Sequence, residues 1–321
     1  MALLLVLSLL AAGCGGGEAS GGEDGGGEQA GGSGGGTSGT IVIDGSSTVG
    51  PLTDAVSEEL AQENPDIKVN LGISGTGGGF ERFCAGETDI SNASRPIEPD
   101  EEKLCERAGI EYVEVQVGVD ALTTVTSPDT DWVDCTTIAE IGMLFGPDDP
   151  ARTWDEVNPQ FPPEPVEVFA PGTDSGTYDF MVEDVLDEES SRQDYNASED
   201  DNIIAQGIQG TRGSWGFFGF AYYDQNRGAI KAIAVDGGDG CVEPSLETAQ
   251  DETYPLIRPL FIYLKQDALE KKPQVIEFVE FYMDTVNDVI EQVGYIPVPD
   301  SKFQQEQQQV EQALAAAEGG G

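Results

Sequence analysis

The sequence predicts an α/β fold of two lobes facing a cleft, and three observations carry that reading. Short β-branched runs alternate with helix-period apolar patterns, as strands and crossover helices do. Two long apolar segments, residues 112–125 and 254–264, have the character of crossings between lobes. The 321 residues, less a Gly-rich start, leave enough chain for two cores of ordinary domain size.

Ile41-Val42-Ile43 reads as a strand that ends in Asp44-Gly45-Ser46-Ser47-Thr48. Pro51 suits the first turn of a helix, whose apolar face is Leu52, Val56 and Leu60. Asn64-Pro65-Asp66 breaks that helix. Residues 68–73 alternate as a half-buried strand and run into Ser74-Gly75-Thr76-Gly77-Gly78-Gly79, with a second helix expected from Phe80. Residues 88–96 repeat the strand-to-loop passage. Residues 166–170 form another strand, followed by Pro171-Gly172-Thr173-Asp174-Ser175-Gly176-Thr177 and a helix with Tyr178, Met181, Val182 and Val185 on one face. This alternation predicts largely parallel sheets. The first lobe is expected to comprise residues 40–117 plus 259–321, the second residues 118–258, with a ligand site between them. Residues 215–223 place aromatics among Gly and Ala, as a buried strand does. Residues 301–321, rich in Gln and Ala, read as a frayed helix.

The amino end points outside the cytoplasm. Residues 1–13 are an apolar run too short to span a bilayer, and Ala11, Ala12 and Gly13 precede Cys14 as small residues precede a lipidated cysteine. Residues 1–14 are therefore expected to be a lipoprotein signal segment, with Cys14 acylated. Residues 15–39 are Gly, Ser, Glu and Asp with nothing to bury, a tether with an r.m.s. reach of about 25–30 Å. Four further cysteines in an exported chain suggest two disulfides. Three connectivities are open; Cys84–Cys105 as a local clip, with Cys135–Cys241 closing a longer loop, is the favoured one.

Composition removes whole classes of function. Sixty Asp and Glu face 15 Lys and Arg, a formal net charge of −45, and no basic run exists to meet a nucleic acid. Histidine is absent, which removes the Ser–His–Asp triad, the Cys–His dyad and His-containing zinc sites. No Lys adjoins a Ser motif, and the Gly-rich loop lacks Gly-Lys-Ser/Thr, so neither a Ser–Lys hydrolase nor a P-loop is supported. No metal, cofactor or catalytic residue is expected. A chain this acidic binds an anion only locally, through oriented backbone N–H groups and a few well-placed arginines.

Three loops have that design. Ser46-Ser47-Thr48, Ser74-Gly75-Thr76-Gly77-Gly78 and Ser175-Gly176-Thr177 each set hydroxyls and glycines where a helix starts. Helix N-termini expose unpaired N–H groups and partial positive charge. Micromolar binding needs about 8 kcal/mol. Charge-assisted hydrogen bonds of roughly 1.5–3 kcal/mol each supply it from some eight donors, even after association costs.

Those loops, with Asp89-Ile90-Ser91-Asn92-Ala93-Ser94-Arg95-Pro96, Ala197-Ser198-Glu199-Asp200-Asp201-Asn202 and Tyr254-Pro255-Leu256-Ile257-Arg258-Pro259-Leu260, closely resemble the phosphate-binding proteins of bacterial phosphate ABC transporters, over essentially all of residues 40–300. The resemblance implies a two-lobed type II periplasmic-binding-protein fold, hinged around inorganic phosphate, that delivers it to ABC permease subunits while anchored to the membrane as a monomer. It implies ligand contacts from Ser47, Thr48 and the Val49 amide, from Thr76 and Gly77, and from Ser175, Gly176 and Thr177. Pro171 stands where the family pattern has Arg, and Ser94 where it has Asp. Arg95 is expected to supply the missing cation, and Asp174, or else Asp89, the acceptor for a phosphate proton. Other oxyanions (sulfate, molybdate, arsenate) and a scavenger or sensor without a permease are the alternative readings.

Overall fold

The computed structural model describes residues 37–319 except Asp174. The expectations for residues 1–14, for Cys14, for the tether up to residue 36 and for Asp174 lie outside the described residues.

Twelve strands are described: β1 (Gly39–Gly45), β2 (Ile67–Leu71), β3 (Ile90–Ala93), β4 (Tyr112–Thr126), β5 (Cys135–Thr137), β6 (Glu167–Ala170), β7 (Asn196–Ala197), β8 (Ser214–Gly219), β9 (Lys231–Ala232), β10 (Ala234–Asp236), β11 (Cys241–Val242) and β12 (Ile257–Lys265). The main sheet runs β2-β1-β3-β12-β4-β8-β6-β7, with β9 also on β4; β11, β10 and β5 form a small second sheet. Strand β1 is parallel to β2 and β3, and β6 is parallel to β7 and β8. Strand β12 is antiparallel to both its neighbours, and β4 to β8. The sheet is thus mixed, not largely parallel. Its antiparallel centre comes from the two long apolar segments, which return along each other instead of crossing over through helices.

Strand β4 is buried without a break from Val115 to Thr126, as its near-continuous apolar run requires when both faces are covered. It serves two cores. Val115, Val117 and Val119 pack with Leu52, Val56, Leu260, Ile262, Phe278 and Tyr282 in the first. Leu122 packs with Phe145, Trp154, Trp215, Phe217, Tyr254 and Leu256 in the second.

Helix α1 (Gly50–Glu63) buries Leu52, Val56 and Leu60 on the expected face. Helix α2 (Gly75–Cys84) starts five residues before the expected Phe80. Its first turn carries no apolar residue because it faces a cavity, so the apolar period begins only where the helix meets the core. Glycine is needed there: a Cβ on Gly79 would lie 2.5 Å from the Gly45 Cα. The helix after Ser175 is an α-turn, Gly176–Asp179, that widens into a π-helical segment, Phe180–Val185, with Tyr178, Met181 and Val182 buried. The aromatic segment near Trp215 is a buried strand only to Gly219; Phe220–Gln225 is helical. Through the described residues the C-terminal segment is helical: helix Asp300–Gly319 buries Phe303, Val310 and Leu314 in the first core. Gln309 Nε2 donates to the Glu114 carbonyl at 2.6 Å.

Both disulfides have the favoured pairing. Cys84–Cys105 staples α2 to α3 (Pro99–Ala108), 21 residues apart, and Cys135–Cys241 spans 106 residues to join β5 and β11. Removing either as a Ser pair is expected to cost about 2–5 kcal/mol, the longer loop losing more. Urea unfolding of Cys135→Ser/Cys241→Ser beside Cys84→Ser/Cys105→Ser checks both the size and the order.

Candidate functional site

Four chain segments meet where β1, β2, β3 and β6 end. The first is the turn at residues 46–49. The Asn92 carbonyl accepts from the Ser46 N–H at 2.9 Å, and Asn92 Oδ1 accepts from Thr53 Oγ1 at 3.1 Å, so β3 fixes the start of α1. Ser46 Oγ accepts from the N–H groups of Thr48 (3.2 Å) and Val49 (3.4 Å). The Val49 amide, expected on the ligand, is therefore satisfied inside its own turn, and the residue is fully buried.

The second segment is lashed to the first by Asp44, the penultimate residue of β1. Its carboxylate accepts from the Ser74 N–H (3.0 Å) and Ser74 Oγ (2.7 Å), and pairs with Arg82. Helix α2 then opens at Gly75, leaving the N–H groups of Gly75, Thr76 and Gly77 without intrahelical acceptors. The third segment joins it through Thr76 Oγ1, which lies 3.0 Å from Ser94 Oγ and accepts from the Ser94 N–H at 3.2 Å.

These three turns line one wall of a cavity of about 300 Å³: Ser46, Ser47 and Thr48, then Gly75, Thr76 and Gly77, then Ser94 and Arg95. Asp179, Glu183 and Asp184, from the helix after Ser175, line the same cavity, as does Arg258. A second cavity of about 200 Å³ shares Ser47, Thr48 and Arg258, and adds Gly176, Thr177, Asp120, Asp201, Tyr222 and Tyr295. Ser175 reaches neither lining; its Oγ accepts from the Thr177 N–H at 3.2 Å, an N-cap.

The expected cation, Arg95, lines the cavity, but its fork is engaged. It donates to both carboxylate oxygens of Glu101 (2.8 and 2.9 Å), sits 3.4 Å from Glu98, and lies over the Phe80 ring. The Glu101 hydrogen bond holds its charge firmly on. Asp89, the fallback acceptor, is buried with Lys272 (2.8 and 3.0 Å) and the Val42 N–H, and lines neither cavity.

Sequence reading missed Arg258. It is 6% exposed on β12, directly opposite Asp120 of β4 in the antiparallel ladder. Nε donates to Asp120 (2.9 Å), Nη1 to Asp184 (3.0 Å) and Nη2 to the Gly176 carbonyl (2.9 Å), and the guanidinium covers the Phe180 ring at 4.3 Å. One side chain thus ties the two central strands to the opening turn of the helix beyond Ser175. Burial pushes the Asp120 carboxyl up, against the pull of Arg258. A signal was present: Asp120 and Arg258 each interrupt a long apolar run, and a buried charge calls for an opposite one.

A mixed sheet with two cores, and glycine- and hydroxyl-bearing turns converging beside its two shared strands, define a two-lobed binding protein of the periplasmic type. Residues 30–285 match the PBP superfamily domain, and the chain belongs to that superfamily. It is 46% identical over 267 residues to Protein SphX of Synechococcus elongatus, spanning 82% of this chain and 79% of that one. It is 35% identical over 308 residues to the phosphate-binding protein PstS of Staphylococcus saprophyticus, spanning 96% and 92%. Among solved structures, a possible phosphate-binding protein from Planctomyces limnophilus superposes with a TM-score of 0.84 at 41% identity, over 87% of this chain and all of that one. An ABC-type phosphate transport receptor from Vibrio cholerae shares the fold, with a TM-score of 0.63 at 20% identity, over 80% of this chain and 99% of that one.

Two measurements probe the charges. Arg258→Ala strands Asp120 in the interior and is expected to cost about 3–5 kcal/mol, with Arg258→Ala/Asp120→Ala recovering part of it in urea unfolding. Burial, with Asp200 and Glu199 nearby, pushes Asp201 up from 3.8 to about 6. A raised carboxyl stabilises the fold below its unfolded pKa and loses that contribution as pH rises through the folded one. Asp201→Asn should therefore raise the melting temperature relative to the parent above about pH 6, the gain shrinking towards about pH 4.

Proposed function

We propose that this chain captures inorganic phosphate outside the cytoplasm and delivers it to an ABC-type importer, without transforming it. The carrying observation is the convergence of three hydroxyl- and amide-bearing turns and the buried Arg258 on one cavity. The name of the phosphate-binding protein PstS, a relative at 35% identity over 96% of this chain, points the same way.

In this reading Ser47, Thr48, Thr76, Gly77 and Ser94 present donors from one lobe, and Gly176 and Thr177 from the other. Arg258 and Arg95 supply positive charge. The lobes, residues 40–117 plus 259–321 and residues 118–258, hinge where β4 and β12 pass between the two cores. Cys14 carries the lipid anchor that keeps a monomeric body near its permease. The absence of histidine, and of any Lys beside a Ser motif, supports capture without turnover.

Isothermal titration with phosphate, sulfate and arsenate tests this directly, with phosphate expected to bind most tightly. Thr48→Val and Thr76→Val should each weaken phosphate binding by about tenfold to a hundredfold, the loss of one charge-assisted hydrogen bond. p-Nitrophenyl phosphate should be left intact. Unchanged affinity in both variants would place the ion elsewhere.

A further inference from the structure

The first turn of the cavity is held from two sides. On one, the Thr48 N–H donates to Ser46 Oγ at 3.2 Å. On the other, the Thr48 carbonyl accepts from the Tyr295 hydroxyl at 2.7 Å, across 247 residues of sequence. Among the described residues, no other side chain donates to that carbonyl. Helix α1 itself ties this turn only in part. Gly50 and Thr53 return hydrogen bonds to the carbonyls of Ser46 and Val49, but Pro51 has no N–H for the carbonyl of Ser47. Thr48 is buried and lines both cavities. Fixing the peptides on either side of it fixes its Cα–Cβ direction, and with that the place of its hydroxyl.

The chain around Tyr295 is built to deliver that contact. The helix Pro273–Val293 ends at Gly294, whose φ of +96° turns the backbone aside. The Tyr295 N–H then returns to the Ile290 carbonyl at 3.1 Å. Ile296 exchanges both backbone hydrogen bonds with Val119 of β4, at 2.8 and 2.9 Å. Tyr295 is thus anchored before and after. Its side chain lines the second cavity and also a separate one of about 190 Å³, shared with Phe220, Leu246 and Pro297. Burial pushes its hydroxyl up, so the group keeps its proton and donates. Val119 directly precedes Asp120, the partner of Arg258, so the strand that places the buried cation also places this phenol. A tyrosine needed for packing alone would have no use for a hydroxyl aimed at the backbone of an anion-facing turn.

We infer that Tyr295 is a positioning residue for anion capture: its hydroxyl orients the Thr48 peptide so that the Thr48 hydroxyl is presented to the ion. It acts through Thr48 and not on the ion itself. Phosphate affinity is thereby set in part by a residue on the segment that leads into β4, outside the turns that carry the donors.

This inference rests on the phosphate reading above, and its test separates the two. Inorganic phosphate is titrated calorimetrically into the full chain and its variants in two double-mutant cycles. Tyr295→Phe keeps the ring and removes the donor, and should weaken binding by about threefold to tenfold, as the loss of one hydrogen bond does. In Thr48→Val the same change should weaken binding hardly further, because the hydroxyl it serves is gone. In Thr76→Val, on the neighbouring turn, the effect should persist in full. Unchanged affinity in Tyr295→Phe, whatever its melting temperature, makes the hydroxyl a packing contact and overturns the inference. A loss as large in Thr48→Val as in the parent overturns it too, since Tyr295 would then act on the ion or on the fold at large. Both outcomes leave phosphate capture standing. A parent chain that binds no phosphate removes both readings.

Discussion

The ion pair between Arg258 and Asp120 is the contact on which the arrangement of the site depends. Two charges so enclosed are stable only as partners, because either alone faces a desolvation cost of several kcal/mol. Their strands are the two that both cores share, so the pair sits where the sheet passes from one core to the other. The guanidinium then reaches past Asp120 to Asp184 and the Gly176 carbonyl. The position of the helix beyond Ser175 is thereby set by the register of β4 against β12. A one-residue slip of β12 in that ladder would turn Arg258 to the opposite face, leaving Asp120 without its partner and Arg95 as the guanidinium at the cavity.

The remaining polar ties act in the same direction. Asp44 holds the start of α2 against the end of β1, Asn92 holds the turn before α1, and Thr76 holds Ser94. None of these groups needs to move to meet an oxyanion. Donors fixed in place before a ligand arrives lose little freedom on binding, which is how hydrogen bonds of modest individual strength add up to useful affinity. Asp179, Glu183 and Asp184 line the same cavity, so carboxylates as well as donors face it.

Much of this was legible in the sequence, for identifiable reasons. Leu52, Val56 and Leu60 obey a helical period and are buried; Ser46, Ser47 and Thr48 of the first small polar turn and Gly75, Thr76 and Gly77 of the second do line the cavity. The helix at Gly75 was legible only from Phe80 because its glycine-rich first turn faces ligand space, where no apolar residue marks the period. Arg95 stood next to an expected contact, yet Glu101 takes its fork. That glutamate is placed by the capping box of α3, in which Glu98 and Glu101 satisfy each other's backbone. The Val49 amide, expected on the ligand, also has Ser46 Oγ as an acceptor at 3.4 Å, a local contact that spacing alone does not expose. Arg258 lay in plain sight within an apolar strand, but its meaning needed the partner strand, more than a hundred residues away in the chain.

Strand order carries a consequence for how the chain reaches this state. Strand β12 fills the space between β3 and β4, pairing Ala93 with Phe261 on one side and Val113 with Leu264 on the other. Until that late segment arrives, β3 and β4 each present an unpaired edge, the kind of surface that recruits other chains. The formal charge of −45 then acts before the native structure exists: nascent copies repel one another while their sheet is still missing its middle. The acidity that makes anion capture harder in the finished protein is, during assembly, its protection against self-association.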